Sequence, residues 1–268
     1  MKSHIFLTSS IVFAAVLLAS NALADDAATI FGDSSGTGVT YDNASGAFPV
    51  VTAILSQPGT VDGYTYTTWS FLAADSSGSL DIYSTLSGLS YTPTVGDAIS
   101  ISGTYSPYHQ IPELGTITSV SLESSGNTFA APLTYTIPQL TASTTIPQSQ
   151  AGQLVTLDNV SLYTDSAATI PVSGNFATHA NVTLYAKDAD GNIMEIYDWA
   201  SSYSTAGAFG GTPEPTGLVD ITGFVSQSGT FPVEMTPFSI TAVPEPTTLG
   251  LGGAGTLLAL IFRLRKKV

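Results

Sequence analysis

An apolar run, a turn and a second apolar run decide the fold of this chain: Phe71-Leu72-Ala73-Ala74-Asp75-Ser76-Ser77-Gly78, followed by Asp81-Ile82-Tyr83. The same order returns in the second half as Leu184-Tyr185-Ala186-Lys187-Asp188-Ala189-Asp190-Gly191, followed by Glu195-Ile196-Tyr197. A short polar turn that ends in glycine between two apolar runs is typical of a β-hairpin. We therefore predict equivalent hairpins, with Gly78 and Gly191 at turn positions of positive φ and with Tyr83 and Tyr197 at equivalent strand positions.

Further segments extend this internal repeat. The glycine-flanked run Gly96–Gly103 has a counterpart in Gly217–Gly223, and Ile111–Leu114 has one in Phe231–Met235. The body shows no convincing 3.6-residue apolar period, whereas short apolar or alternating runs bounded by Gly, Pro, Asp and Ser recur. The pattern predicts an all-β fold with strands at Val50–Leu55, Tyr64–Ala73, Leu80–Tyr83, Ala98–Tyr105, Ile117–Leu122, Leu154–Tyr163, Asn181–Lys187, Ile193–Tyr197, Leu218–Val225 and Phe238–Thr241.

This order of hairpin, glycine-flanked strand and Pro-Glu segment resembles secreted bacterial OB-like barrels, such as those attached to extracellular nucleases. The resemblance covers residues 47–122 and 150–242, and it implies two tandem five-stranded barrels of the Greek-key type. Residues 123–149 contain three prolines among Thr and Ser, which predicts an extended linker. Residues 25–46 are polar and glycine-rich, which predicts a loosely ordered lead-in.

The N-terminus has the pattern of a signal peptide. Ile5–Ala19 is almost wholly apolar, and Ala22-Leu23-Ala24 places small residues where a signal peptidase cuts, before Asp25. We predict that residues 1–24 form a signal helix that is removed on export, and a permanent N-terminal anchor is the alternative.

The C-terminus has three parts that together indicate a sorting signal. Val243-Pro244-Glu245-Pro246 precedes the apolar run Thr247–Phe262, and the basic residues after it are Arg263, Arg265, Lys266 and Lys267. As a helix the run spans ~24 Å, which predicts a transmembrane helix slightly shorter than a hydrocarbon core of ~30 Å. The basic cluster would stop it on the cytoplasmic side.

Residues 243–268 resemble the PEP-CTERM sorting signal of Gram-negative bacteria that produce exopolysaccharide. The resemblance implies an exosortase that cuts near the motif and delivers the remainder to the cell surface or biofilm matrix.

The charge distribution excludes one class of partner. All 20 Asp and Glu residues lie between Asp25 and Glu245, where Lys187 is the only Lys or Arg, so this body has a formal charge of −19. Such a body repels DNA, RNA and anionic polysaccharide unless metal ions bridge the contact. The chain has no cysteine, so an apolar core has to stabilise it without disulfides.

Sequence motifs that carry chemistry are missing. The two histidines of the body, His109 and His179, stand far apart, and no zinc, nucleophile-elbow, phosphate-loop or paired-carboxylate signature occurs. Asp188-Ala189-Asp190-Gly191-Asn192, with Glu195 and Asp198 beyond, offers oxygen ligands for calcium but lacks the Gly and Glu positions of an EF-hand loop. An Asp-Gly hairpin turn is the favoured interpretation. We therefore expect no cofactor, no metal site and no catalytic activity.

An aromatic run in the first repeat is the candidate ligand face. Tyr64, Tyr66 and Trp69 lie in one predicted strand and Tyr83 lies in its neighbour. OB-like barrels bind oligonucleotides or oligosaccharides on such faces, and the negative charge leaves only a neutral glycan. Packing of these rings in the core is the alternative.

Together these observations predict an exported, non-enzymatic protein of the cell surface or exopolysaccharide matrix. A module that binds neutral or calcium-bridged polysaccharide is the first alternative. Accessory OB domains of an extracellular nuclease system are the second.

Overall fold

The computed structural model describes residues 25–61, 64–85, 91–142, 152–176, 181–198, 213–226 and 233–244. The predicted signal helix at 1–24 and the predicted transmembrane helix at 247–262 lie outside these ranges.

Strands form most of the described structure, as the alternating pattern predicts. They are accompanied by two five-residue helices, α1 (Ala27–Phe31) and α2 (Ile137–Thr141), and by a 3-10 turn at Asn43–Ser45. The strands are β1 (Gly38–Tyr41), β2 (Val50–Ser56), β3 (Gly59–Val61), β4 (Tyr64–Tyr66), β5 (Thr68–Ala74), β6 (Ser79–Thr85), β7 (Ala98–Tyr105), β8 (Glu113–Ser124), β9 (Leu133–Thr134), β10 (Leu154–Tyr163), β11 (Val182–Lys187), β12 (Ile193–Asp198), β13 (Val219–Ser226) and β14 (Glu234–Ala242).

The strands form two barrels with one topology. In the first barrel, β2, β5 and β6 form an antiparallel meander, β6 pairs in parallel with β8, and β7 pairs antiparallel with both β8 and β2. In the second barrel, β10, β11 and β12 form the meander, β12 pairs in parallel with β14, and β13 pairs antiparallel with both β14 and β10. The predicted repetition of topology is confirmed.

Strand register fixes which residues of the two barrels are equivalent. In the parallel pair of the first barrel, Asp81 lies opposite Glu113. In the parallel pair of the second barrel, Glu195 lies opposite Glu234. The side chains next to each pair point into their barrel cores, so all four carboxyl groups are carried on the outer surfaces.

The hairpins agree with the sequence prediction in two respects and differ in one. Tyr83 and Tyr197 stand two positions beyond equivalent carboxylates, so they are equivalent as predicted. Gly191 has the predicted positive φ, +89°. Gly78 does not, so that part of the prediction is wrong. A close approach favours glycine there instead, because a Cβ at Gly78 would lie 2.7 Å from the ring of Phe31.

Residues 25–46 are not the loosely ordered lead-in that their composition predicts. They contain α1 and β1, and β1 pairs with β7 in the same register as β10 pairs with β13. Thr40 and Ser102 share a hydroxyl hydrogen bond of 2.9 Å, and Thr156 and Thr222 share one of 3.0 Å. Strand β1 is therefore the first half of the opening strand of the first barrel, separated from β2 by an insertion.

A short helix precedes each barrel. Asp26 caps α1 and Thr136 caps α2, and each helix buries its first and fourth residues in the core of the barrel that follows. The predicted linker, residues 123–149, therefore contains a structural element of the second barrel. Helices of five residues are too short to show a 3.6-residue period, which explains why the sequence pattern did not indicate them.

The two barrels pack against each other through a separate apolar cluster. Ala53, Leu72 and Ile111 on the outside of the first barrel are buried against Phe224 of the second. The backbones also approach closely at Gly152, where a Cβ would lie 3.0 Å from the carbonyl oxygen of Ser79. This interface decides which outer faces of the barrels remain accessible.

Candidate functional site

The outer surface of the second and third barrel strands is where OB-like barrels bind ligands. In the first barrel these strands are β5 and β6. Leu72 of β5 belongs to the interface cluster that Phe224 completes, and Asp81, opposite Leu72, is also buried. The second barrel therefore covers the centre of this face.

Those residues of the predicted ligand face whose side chains are described lie in different surroundings. Tyr66 is 8% exposed and packs in the core cluster of the second barrel. Trp69 is also 8% exposed but packs in the core of the first. Tyr83 is 43% exposed, and Tyr64 lies in β4 with its side chain outside the described atoms. Core packing, the alternative interpretation, therefore holds for Tyr66 and Trp69. The strand predicted over Tyr64–Ala73 is two separate strands, β4 and β5, and the two rings enter different cores.

The equivalent face of the second barrel carries tyrosines instead. Register aligns the row Ala53–Leu72 of the first barrel with the row Tyr163–Tyr185 of the second. Both tyrosines are partly exposed, as is Tyr197 on the adjacent strand β12. The second barrel thus presents three aromatic rings where the first presents the apolar side chains of the interface.

Polar groups surround these rings. The Nζ atom of Lys187 lies 5.5 Å from the centroid of the Tyr163 ring, within the range of a cation–π contact, and donates to the carbonyl oxygen of Ala168 at 3.4 Å. The side-chain amide of Asn181 donates to the hydroxyl oxygen of Tyr197 at 2.8 Å. Rings flanked by amide, hydroxyl and ammonium groups can stack on a sugar and hydrogen-bond its hydroxyls.

The electrostatics of the face are set by two carboxylates. Burial raises the pKa of the Tyr185 hydroxyl, and the negative charges of Glu195 and Asp165 raise it further. Burial also raises the pKa of Glu195. Backbone hydrogen bonds, first from the N–H of Ile170, lower the pKa of Asp165. The face is therefore unsuited to a polyanion despite the presence of Lys187.

Part of this face could have been predicted from the sequence of β11. Tyr185 and Lys187 alternate with the buried Leu184 and Ala186, so a two-residue period places the polar pair outside. What the sequence did not reveal is that Leu72, at the position of Tyr185, would be covered by the other barrel.

The acidic segment considered for calcium is a hairpin turn. One carboxylate oxygen of Asp188 accepts from the backbone N–H groups of Asp190 and Asn192, and the other accepts from the side-chain amide of Asn192. Glu195 and Asp198 lie further along, on β12. Among the residues that the structure describes, no three His, Cys, Asp or Glu side chains are placed to hold a metal ion.

Of the two histidines of the body, only His109 belongs to the part of the chain that the structure describes. His109 occupies the turn between β7 and β8 with φ 50°, and its ring stands edge-on to that of Tyr108 with centroids 4.0 Å apart. His179 lies outside the described residues.

The sorting motif begins where the second barrel ends. Strand β14 ends at Ala242, and the N–H of Val243 donates to the carbonyl oxygen of Leu218 at 2.8 Å. Pro244 is exposed. The remaining predicted tail residues lie outside the described ranges: Glu245, Pro246, Arg263, Arg265, Lys266 and Lys267. Within those ranges, no helix is long and apolar enough to cross a membrane.

Comparison with known proteins identifies the tail. The chain matches the PEP-CTERM protein-sorting motif over residues 242–266. No curated protein matches the chain significantly in sequence.

Several solved structures are similar in fold at low sequence identity. A murine DNA binding protein bound with double-stranded DNA is 15% identical with a TM-score of 0.38, and the match covers 79% of this chain and 98% of that one. A replication protein A heterotrimer bound to single-stranded DNA is 13% identical with a TM-score of 0.34, covering 83% of this chain and 53% of that one. Similarity at this level gives no information about what this chain binds.

Proposed function

We propose that this chain, which carries the PEP-CTERM protein-sorting motif at residues 242–266, is an exported, non-catalytic protein of the cell surface or exopolysaccharide matrix. In this proposal a signal peptidase removes residues 1–24. The apolar run Thr247–Phe262 then holds the chain in the membrane as a transmembrane helix until an exosortase cuts near Pro244–Pro246. The two terminal sequence patterns and the matched motif support this route.

The observation that carries the proposal is the junction between barrel and tail. Ala242 is the last residue of β14, and Val243 is still hydrogen-bonded to the barrel, whereas Pro244 is exposed. A cut after this point leaves every strand of the second barrel intact. The released body would therefore keep its fold.

Cell fractionation with tail variants tests this route. Replacing the four basic tail residues by glutamine removes the stop-transfer charge, so the protein should be lost from the surface fraction. Lys187→Gln, which removes the remaining cation of the mature body, is the matched control and should be sorted normally. An intact protein in the cytoplasm, or unaltered sorting of the tail variant, would contradict the proposal.

The partner that best fits the body is a neutral glycan of the matrix. The rings of Tyr163, Tyr185 and Tyr197 provide stacking surfaces, and the formal charge of −19 disfavours nucleic acid and acidic polymers. An acidic polysaccharide remains a partner only where calcium bridges the two. For the same reason of charge, the proposal of an accessory role in a nuclease system has less support than glycan binding.

Retention on polysaccharide gels separates these alternatives. The full chain in detergent micelles should be retarded by a neutral polysaccharide such as dextran or laminarin with or without calcium. Retardation by alginate only when calcium is present would favour the calcium-bridged version. Unchanged mobility in every gel would leave a purely structural role in the matrix.

A further inference from the structure

A cleft with many polar residues lies on the first barrel. None of the residues that line it belongs to the strands that carry the tyrosines of the second barrel. The cleft has a volume of about 630 Å³ and is formed where the end of β6 meets the β7–β8 pair. Its walls carry Tyr83 and Glu113, and residues with hydroxyl groups surround them: Ser35, Thr85, Thr104, Ser106 and Thr116. The volume lies within the ~300–1,000 Å³ of small-molecule sites, and most of the residues that line it carry a hydroxyl or carboxyl group.

The cleft is open because Gly115 has no side chain. From the Cβ position of Gly115 the nearest atoms are the Oε1 of Glu113 at 3.7 Å and the carbonyl oxygen of Tyr83 at 3.9 Å. In the second barrel the equivalent residue is Thr236, which is buried. A side chain therefore occupies the same place in the other repeat.

A second substitution widens the opening. Thr104 lies opposite Gly115, whereas the equivalent residue opposite Thr236 is Phe224. Phe224 is 3% exposed because it packs on the first barrel. The first barrel thus has a small and a polar residue where the second has two packed side chains.

The equivalent glutamates of the two barrels, Glu113 and Glu234, also differ in how deeply they are buried. In the second barrel Glu234 is fully buried and accepts a hydrogen bond of 3.1 Å from Ser226. In the first barrel the equivalent residues are Glu113, which is partly exposed, and Ser106, which is exposed. One polar pair is sealed inside the fold, and the other faces the cleft.

We propose that this cleft is a second ligand site that takes one unit of a neutral polyhydroxylated chain, such as a hexose residue of a polysaccharide, between Tyr83, Glu113 and the surrounding hydroxyls. The ring of Tyr83 offers a stacking surface, and the hydroxyls and the carboxyl group offer donors and acceptors at several angles. The choice of a glycan rests on the proposed function, whereas the site itself rests on the first barrel alone.

The charge state of Glu113 fits a neutral ligand. Burial, reinforced by the neighbouring Asp81 carboxyl, raises the pKa of Glu113 to about 8, and burial raises the pKa of Asp81 to about 7 against the effect of a hydrogen bond from Ser70. Asp81 and Tyr83 are the titratable groups that β6 presents, and β7 and β8 present hydroxyls and Gly115. At neutral pH the Glu113 carboxyl therefore carries a proton and can both donate and accept.

Two sites on different barrels would change the role of the protein in the matrix. One chain would hold two polysaccharide strands, or two points of one strand, and the linked binding events would raise the apparent affinity without new contacts.

Isothermal titration of the full chain in detergent micelles with cellohexaose, laminarihexaose and maltohexaose tests the site. Gly115→Thr copies the second barrel and fills the cleft, and we expect it to lose one of two binding events, or tenfold or more in affinity at that event. Gly59→Thr is the matched control, because no atom lies within 4 Å of its Cβ position, and it should bind as the wild type does. Equal thermal midpoints of the variants exclude unfolding as the cause.

The pH dependence gives a second readout. Affinity at the cleft should fall about tenfold from pH 7 to pH 9 as Glu113 loses its proton, and Glu113→Gln should remove this fall. Gly115→Thr with unaltered binding, or loss of both events on changing Tyr185 alone, overturns the proposal but not glycan binding by the second barrel. No binding of any of the three hexasaccharides overturns both and leaves the sorting function standing.

Discussion

Asp81 lies directly opposite Glu113 across the parallel strands β6 and β8, with both side chains on the outer surface of the first barrel. The pKa of Asp81 is raised to about 7 by burial, and that of Glu113 to about 8 by burial and by Asp81. An unfolded chain releases both protons near pH 4. Between about pH 4 and pH 8 the folded state therefore binds more protons than the unfolded state.

The stability of the protein should consequently fall as the pH rises. The contribution of the pair is fully present below about pH 4 and is lost through pH 7–8, where the folded-state groups ionise. We expect the free energy of unfolding in urea to be lower at pH 8.5 than at pH 5, by on the order of 3 kcal/mol for the nearly fully buried Asp81. Asp81→Asn should remove the part of this difference that Asp81 contributes, whereas the part from Glu113, whose pKa is raised first by burial, should remain.

Asp158→Asn provides the control for that series. Asp158 is exposed on β10, so its replacement should leave the pH dependence unchanged. Stability that is constant or rises between pH 5 and pH 8.5 in the wild type would show that the pair does not retain its protons in the folded state.

Two glycines, one in each barrel, stand where a Cβ atom would clash with the backbone of the paired strand. A Cβ at Gly103 would lie 2.7 Å from the carbonyl oxygen of Gly115, and one at Gly223 would overlap the carbonyl oxygen of Thr236. Neither backbone oxygen can move without breaking the strand pairing. Gly223→Ala should therefore destabilise the protein by roughly 2–3 kcal/mol, measured by urea denaturation.

Gly217→Ala serves as the matched variant for Gly223. No atom lies within 4 Å of its Cβ position, so we expect a change within about 0.5 kcal/mol. Equal stability of the two alanine variants would mean that β13 and β14 are further apart than described here.

Phe224 is the buried aromatic side chain in the apolar cluster between the barrels. Phe224 is 3% exposed and packs with Leu72 in the interface cluster. Phe224→Ala should cost roughly 3 kcal/mol and should split thermal unfolding into two transitions, because each barrel has its own core. Phe129→Ala, at a phenylalanine that is 38% exposed, should unfold like the wild type. A single unaltered transition for Phe224→Ala would argue against the interface.

Strand positions and the repeat could be predicted from the sequence because both depend on local patterns. The two-residue period of a strand places Leu80 and Ile82 inside and Tyr83 outside, and this does not depend on which strands pair with β6. Strand β1 has only four residues, and its place in the first barrel depends on pairing with Ile101–Thr104, far along the chain. No local pattern contains that information, so the composition of residues 25–46 was misleading.

The burial of two residues of the predicted ligand face could not be foreseen for a related reason. Tyr66 and Trp69 have the composition of a binding face, but their burial is decided by two different cores. Tyr163 and Tyr185 are more than twenty residues apart and become neighbours only through the pairing of β10 with β11. The interface that covers Leu72 and exposes Tyr185 is a tertiary property, and the sequence of either barrel alone does not contain it.

Internal substitution gives the sharpest test of the tyrosine face. Tyr163→Ala and Tyr185→Leu copy Ala53 and Leu72 of the first barrel, so each introduced residue already occupies an equivalent strand position in this fold. Loss of a stacking ring should weaken binding of a neutral hexasaccharide by roughly 2 kcal/mol, or about 30-fold in Kd, as titration calorimetry would measure.

The control for this face is Tyr108→Ala, which removes a ring that is 50% exposed in the β7–β8 turn of the first barrel and should not change Kd. Because Lys187 lies over the Tyr163 ring, Tyr163→Ala should also remove this cation–π contact. Equal weakening by Tyr108→Ala and Tyr185→Leu would mean that the sugar binds through exposed aromatic rings in general. Unchanged affinity of the Tyr163→Ala and Tyr185→Leu variants would show that the second barrel does not bind glycan through these strands.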